Sequence, residues 1–229
     1  MIEGPHLLSA CLDAGIEPRA VLVSETGASR PDISALVQRV GGAPVTLPDA
    51  LLKWLADVDS PAGLLAEIAI PAPAAPAGDC VFLEGIQDAG NVGAILRSAA
   101  AFGLGRAVLS RGCADPWSPK VLRAAMGAHF SLAIGEAGDF EAALRAFGGT
   151  LVCTVVQGGR PLAELDWQGD AGWIFGSEGQ GVSAAVAALA AVQATIPLAA
   201  GTESLNVAAA AAVCFYERAR RLSRRGARS

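Results

Sequence analysis

The apolar positions of the chain fall into short groups whose spacing alternates between helical and strand-like. Over residues 7–14 and 33–40 they recur every three or four positions and stop at Gly15 and Gly41, which predicts two helices. Short apolar runs at 20–24, 44–47 and 63–70 read as strands, and residues 49–56 as a further helix. The alternation resumes at strand 80–86, followed by helix 91–102, strand 106–110, helix 118–127 and strand 130–134. It continues with helix 139–147, strands 150–155 and 172–175, helix 183–190, strand 193–198 and helix 206–222. Strands and helices in series predict an α/β protein with a mostly parallel sheet and helices on both faces.

Between the two series, Pro71, Pro73 and Pro76 stand among alanines, a stretch that continues neither a helix nor an inner strand. The expected organisation is a small α/β domain over 1–70, a linker over 71–78 and a larger domain over 79–229. No internal repeat is seen.

Three polar blocks interrupt the larger unit where a predicted strand gives way to a helix, the position at which open α/β sheets bind ligands. The first is Asn91-Val92-Gly93-Ala94-Ile95-Leu96-Arg97. In the second, Gly176-Ser177-Glu178-Gly179-Gln180-Gly181, three glycines in six residues let a backbone approach a ligand and offer its N–H groups. The third runs from Ile196-Pro197-Leu198 through Gly201 to Ser204-Leu205-Asn206 and opens a long alanine-rich helix. Hydroxyl and amide side chains there suit a pocket for a polar small molecule; capping of the helix by Ser204 or Asn206 explains them equally well in isolation. The first strand-to-helix turn lacks Gly-x-Gly-x-x-Gly, and no acidic residue closes a second strand, which sets aside a nicotinamide enzyme.

In order and separation these blocks resemble the three motifs of the SpoU/TrmH family of S-adenosylmethionine-dependent RNA ribose 2′-O-methyltransferases, within the SPOUT superfamily. The resemblance covers about residues 80–217. It implies a trefoil knot in the C-terminal half, a homodimer, and S-adenosylmethionine held by the knot loops. It further implies catalytic roles for Asn91, Arg97, Glu178, Ser204 and Asn206, and cofactor contacts at Gly176, Gly181, Ile196, Leu198 and Leu205. Arg97 lies off the apolar stripe of its helix; a guanidinium is a poor base, so gripping a phosphate and stabilising a developing alkoxide is the role expected of it. Asn91 suits helix capping as well as orienting Arg97 or RNA. The N-terminal part resembles the small substrate-binding domain of ribosomal-RNA members, which points to ribosomal RNA; transfer RNA, a silent knotted RNA-binding protein and a base-methylating SPOUT enzyme are the alternatives.

Charge complicates the picture. The net charge is −5, and residues 1–75 hold four Lys or Arg against nine Asp or Glu, so RNA binding by that half competes with packing or dimer support. Six of the 17 basic residues, Arg218, Arg220, Arg221, Arg224, Arg225 and Arg228, fall in the last 12 positions and read as a solvated helix end or a phosphate-binding tail. Lys120 and Arg123 read as a solvated face, His129 as a core or turn histidine, and Trp54, Trp117, Trp167 and Trp173 as core or rim packing. Five scattered cysteines without Cys-x-x-Cys spacing, no signal-like start and no membrane-length apolar run lead to the expectation of a reduced, cytoplasmic protein with no metal and no membrane contact.

Overall fold

The computed structural model describes residues 1–72, 78–166 and 169–226, with the backbone alone for 224–226. The middle of the expected linker, Trp167, and Arg224, Arg225 and Arg228 as side chains lie outside the described residues.

The N-terminal unit comprises β1 (Ile2–Glu3), α1 (Pro5–Asp13), β2 (Ala20–Ser24), α2 (Glu25–Ala28), α3 (Pro31–Val40), β3 (Val45–Leu47), α4 (Asp49–Leu55) and β4 (Leu64–Glu67). Its strands form one sheet in the order β1-β4-β2-β3. Pro5 and Pro31 start α1 and α3, where a missing N–H costs nothing, and Gly41 ends α3 in the left-handed conformation. Ile2, Leu8, Cys11, Val23, Ile33 and Leu64 are buried between sheet and helices.

The larger unit comprises β5 (Cys80–Glu84), α5 (Ala89–Ala101), β6 (Arg106–Ser110), α6 (Pro119–Ala125), β7 (Ala133–Ala137), α7 (Phe140–Arg145), β8 (Thr150–Thr154), β9 (Arg160–Pro161), β10 (Ala171–Gly176), α8 (Ala184–Ala187), β11 (Val192–Thr195) and α9 (Val207–Gly226). Its seven strands lie in the order β7-β6-β5-β10-β8-β11-β9, and every pairing among them is parallel. Alternation divides the core: Val81, Leu83, Trp173 and Phe175 face α5, α6 and α9, whereas Cys80, Phe82 and Ile174 pack with Leu144 of α7 and Val186 of α8. From β5 the chain moves outward to β6 and β7; β8, β9 and β11 lie on the other side of β10. The reversal of strand order therefore falls between β5 and β10.

The core of the N-terminal unit extends across the junction into the larger one. Leu122 of α6 is buried with the N-terminal residues, and Trp117 and Phe130 pack against them. Arg123 reaches Asp57 at 3.0 Å across the junction, so it is ion-paired and not merely solvated. His6 Nε2 lies 3.2 Å from the Met126 carbonyl. Met126 takes a left-handed φ of 51°, the one non-glycine to do so among the described residues. Just after it, a short 3-10 turn buries His129, whose Nε2–H donates to the Pro116 carbonyl at 2.5 Å while its Nδ1 is buried with no partner among the described residues. Burial holds its pKa below the ordinary histidine value.

Three further expectations need correction. The strand expected at 130–134 begins at Ala133, because the turn over Ala128–Phe130 occupies its start. Trp54 is 78% exposed, neither core nor rim. The arginines of α9 are largely engaged by the protein itself. Arg218 is buried against Asp79, donating through Nε at 2.7 Å and Nη2 at 2.9 Å. Arg220 and Arg221 hold Glu217, and Arg221 also donates to the carbonyls of Leu165 and Ala163. Of the six proposed tail arginines, these three are accounted for by intramolecular contacts.

Candidate active site

At the C-terminal ends of β8, β10 and β11 the chain leaves a cavity of about 500 Å³. The glycine loop forms one wall. It folds back on itself through a Gly181 N–H bond to the Ser177 carbonyl at 2.8 Å, which sets Gly181 against Gly176. A Cβ on Gly176 would fall 2.1 Å from the Gly181 backbone, and Gly181 itself has a φ of 68°. Both positions therefore need glycine, one for space and one for conformation. The opposite wall is the segment after β11, where Ile196, Leu198 and Leu205 line the cavity. Ile196 and Leu198 lie beyond the ladder, since β11 ends at Thr195 and not at residue 198. An apolar cleft rimmed by backbone N–H and carbonyl groups suits a flat heteroaromatic ring attached to a polar body.

The mouth of the cavity carries an oriented chain of hydrogen bonds. Asn206 Oδ1 accepts from the backbone N–H groups of Ala208 and Ala209 at 3.0 and 3.2 Å, capping α9. That fixes its amide, whose Nδ2 donates to Asn91 Oδ1 at 2.9 Å. Asn91 Nδ2 in turn donates to Glu178 Oε1. Each of the three blocks contributes one member, and the Glu178 carboxylate is held by an amide fixed two bonds away. Ser204 lines the same cavity and has no hydrogen-bond partner among the described residues.

Two site expectations change. The cap of α5 is Asp88, whose Oδ1 accepts the Asn91 N–H at 2.7 Å; Asn91 is the third residue of the helix, and its side chain is free for the relay. Arg97 is exposed and does not line the cavity. Six residues beyond Asn91, it sits about 9 Å further along the helix and roughly 120° round from it. The sequence reading also misses Thr154, Val155 and Val156, which close the cavity beyond β8. The strand reading ends at residue 155, and the Gly158-Gly159 pair behind it is the signal of a chain turning at the sheet's ligand edge.

A parallel sheet with a glycine-walled cavity at its carboxyl edge, and an amide-carboxylate relay at the cavity mouth, defines a class of group-transfer domain that positions a small-molecule donor. The model of the SpoU rRNA Methylase family matches residues 79–216, and the chain belongs to that family. It is 35% identical over 227 residues to an uncharacterized tRNA/rRNA methyltransferase of Synechocystis sp., covering 95% of this chain and 82% of that protein. It is 30% identical to the 23S rRNA (guanosine(2553)-2′-O)-methyltransferase RlmP of Bacillus subtilis, covering 94% and 86%. The SpoU methyltransferase AviRb of Streptomyces viridochromogenes, solved with AdoMet, superimposes with a TM-score of 0.83 at 26% identity, covering 97% of this chain and 90% of that one.

Proposed function

We propose that this protein methylates a ribose 2′-hydroxyl of ribosomal RNA, working as a homodimer whose C-terminal half is knotted. It is an S-adenosylmethionine-dependent RNA methyltransferase; the cofactor carries an electrophilic methyl on a sulfonium, so the donor needs positioning more than activation. The cavity residues fit that group: Ile196, Leu198 and Leu205 would flank its adenine, and the bare backbone at Gly176 and Gly181 would take its polar edge. The ribosomal reading rests on similarity to RlmP and on the N-terminal unit that precedes the site.

The acceptor poses the harder problem, because a ribose hydroxyl is a weak nucleophile until its proton is drawn away. The Glu178–Asn91–Asn206 relay is the observation that carries the mechanism. It aims the Glu178 carboxylate by means of a fixed donor, and it leaves the second carboxylate oxygen to accept from the substrate. Ser204 supplies a further hydroxyl at the same wall. Arg97 stabilises the developing alkoxide and grips phosphate from a second copy of the chain. The exposed stripe Ala209, Val213 and Tyr216 continues along α9 from Asn206, so a dimer built on it borders the cavity and brings another α5 alongside.

The test is calorimetric titration with S-adenosylhomocysteine, followed by incorporation of labelled methyl into in vitro transcribed ribosomal and transfer RNA with nucleoside analysis. A ribose-methylated nucleoside from ribosomal RNA is expected; a methylated base, or transfer of methyl to transfer RNA alone, contradicts the proposal. Light scattering of Tyr216→Glu should report a monomer that has lost methyl transfer.

A further inference from the structure

A second cavity, of about 590 Å³, backs onto the cofactor cavity from the other side of the glycine loop. It lies between the ends of β5 and β10, where Gly176 stands in register with Glu84. Strand order reverses at this point, and open parallel sheets place ligands in the crevice there. Glu178 and the glycine loop are common to both cavities, so the second one lies beside the first with a single turn of chain between them. Glu84, Gly85 and Ser183 are in turn shared with a third opening, of about 480 Å³, which runs on past Gly138 to Phe140. The result is one continuous groove along the carboxyl edge of the sheet.

The carboxylates along this groove already have partners. Glu84 accepts the Ser183 N–H at 2.8 Å, Asp139 caps α7 through Ala142, Glu141 pairs with Arg145 at 2.6 Å, and Glu178 is held by Asn91. The cation beside them does not: Arg111 is exposed and makes no hydrogen bond or ion pair among the described residues. Its guanidinium lies over Gly138, where a Cβ would come within 3.3 Å of Nη2. Gln87 lines the second cavity with an amide that carries both a donor and an acceptor, the complement of a base edge.

We propose that this groove is the track for the RNA strand on one side of the acceptor: the second cavity takes the nucleotide next to the one to be methylated, with Gln87 against its base, and Arg111 takes the adjoining phosphate. The assignment rests on the ribose-methylating function proposed above. It gives the enzyme a single-stranded path of at least two nucleotides.

The probe is a 5′-fluorescein-labelled, ten-nucleotide single-stranded RNA of mixed sequence, titrated by anisotropy at several salt concentrations into protein saturated with S-adenosylhomocysteine. Arg111→Gln should make the dependence of log affinity on log salt shallower by about 0.7, the share of one single-strand phosphate. Gln87→Ala should weaken binding several-fold at every salt concentration without changing that slope. Both side chains are exposed, and circular dichroism together with unchanged S-adenosylhomocysteine affinity checks that each variant is folded. An unchanged slope for Arg111→Gln, or no RNA binding by wild-type protein that binds S-adenosylhomocysteine, overturns the track. Failure of the wild type to bind S-adenosylhomocysteine contradicts the methyltransferase reading instead.

Discussion

Asn206 performs two tasks with the two ends of one amide, and substitution can separate them. Asn206→Asp keeps an oxygen for the α9 cap but sets a second acceptor against Asn91 Oδ1. Thermal stability should stay near wild type while the rate of methyl transfer falls by about 10²-fold, the usual cost of losing an aimed donor. Asn206→Ala removes the cap as well and should also cost about 1 kcal/mol in denaturant unfolding. If Asn206→Asp retains full activity, the relay has no catalytic role.

His129 makes a residue-scale prediction about pH. Its folded pKa is depressed by burial, so the unfolded chain takes up the proton first as pH falls through about 6.5. The stability is complete above that value and declines below it, by at most about 1.4 kcal/mol per pH unit. Calorimetric melting between pH 7.5 and 5.5 should show the loss, and His129→Gln should flatten that part of the profile. Equal slopes for the two proteins would exclude the histidine as its source.

At the scale of elements, the close approaches are the sensitive points. A Cβ at Gly93 would fall 2.4 Å from the Ala124 side chain and 2.8 Å from the Val121 carbonyl, where α5 crosses α6. Gly93→Ala should force the two helices apart and cost about 1–3 kcal/mol in denaturant unfolding. Gly176→Ala meets backbone and not a yielding side chain, so loss of S-adenosylhomocysteine binding is expected from a protein whose far-ultraviolet circular dichroism is preserved.

Much of this element pattern is legible in the chain. Strands 20–24 and 106–110 fall where their apolar runs place them, because each run is bounded by residues that end a strand. The elements that escape notice are those too short to show a period. β1 and β9 have two residues each, and α2 has a single turn started by the Ser24 side chain. Asp88 and Asn91 are both good caps three residues apart, and sequence cannot choose between them; the choice releases Asn91 for the site. The glycine loop is readable because its spacing has no other use, whereas the distance of Arg97 from the cavity emerges only from the helix's orientation in the fold.

For the molecule as a whole, the packed junction between the units changes what truncation does. Removing residues 1–72 strips cover from Leu122, Trp117 and Phe130, so the shortened chain should aggregate on size exclusion unless these are made polar. A fragment that is monodisperse without such changes would show the junction to be dispensable. Arg218→Met should be more damaging than any exposed arginine substitution, about 3–5 kcal/mol, because Asp79 is left charged and buried; Asp79→Asn combined with it should recover part of the loss.

The same pair also sets a clock. Asp79 enters the core at the start of β5, and its counter-charge is made 139 residues later. At ordinary rates of synthesis, that delay is on the order of 7–28 s. During that interval the first strand of the sheet carries a carboxylate that cannot be buried without a partner, so the larger unit is barred from closing early on an incomplete chain. Its last step of folding belongs to the moment α9 arrives.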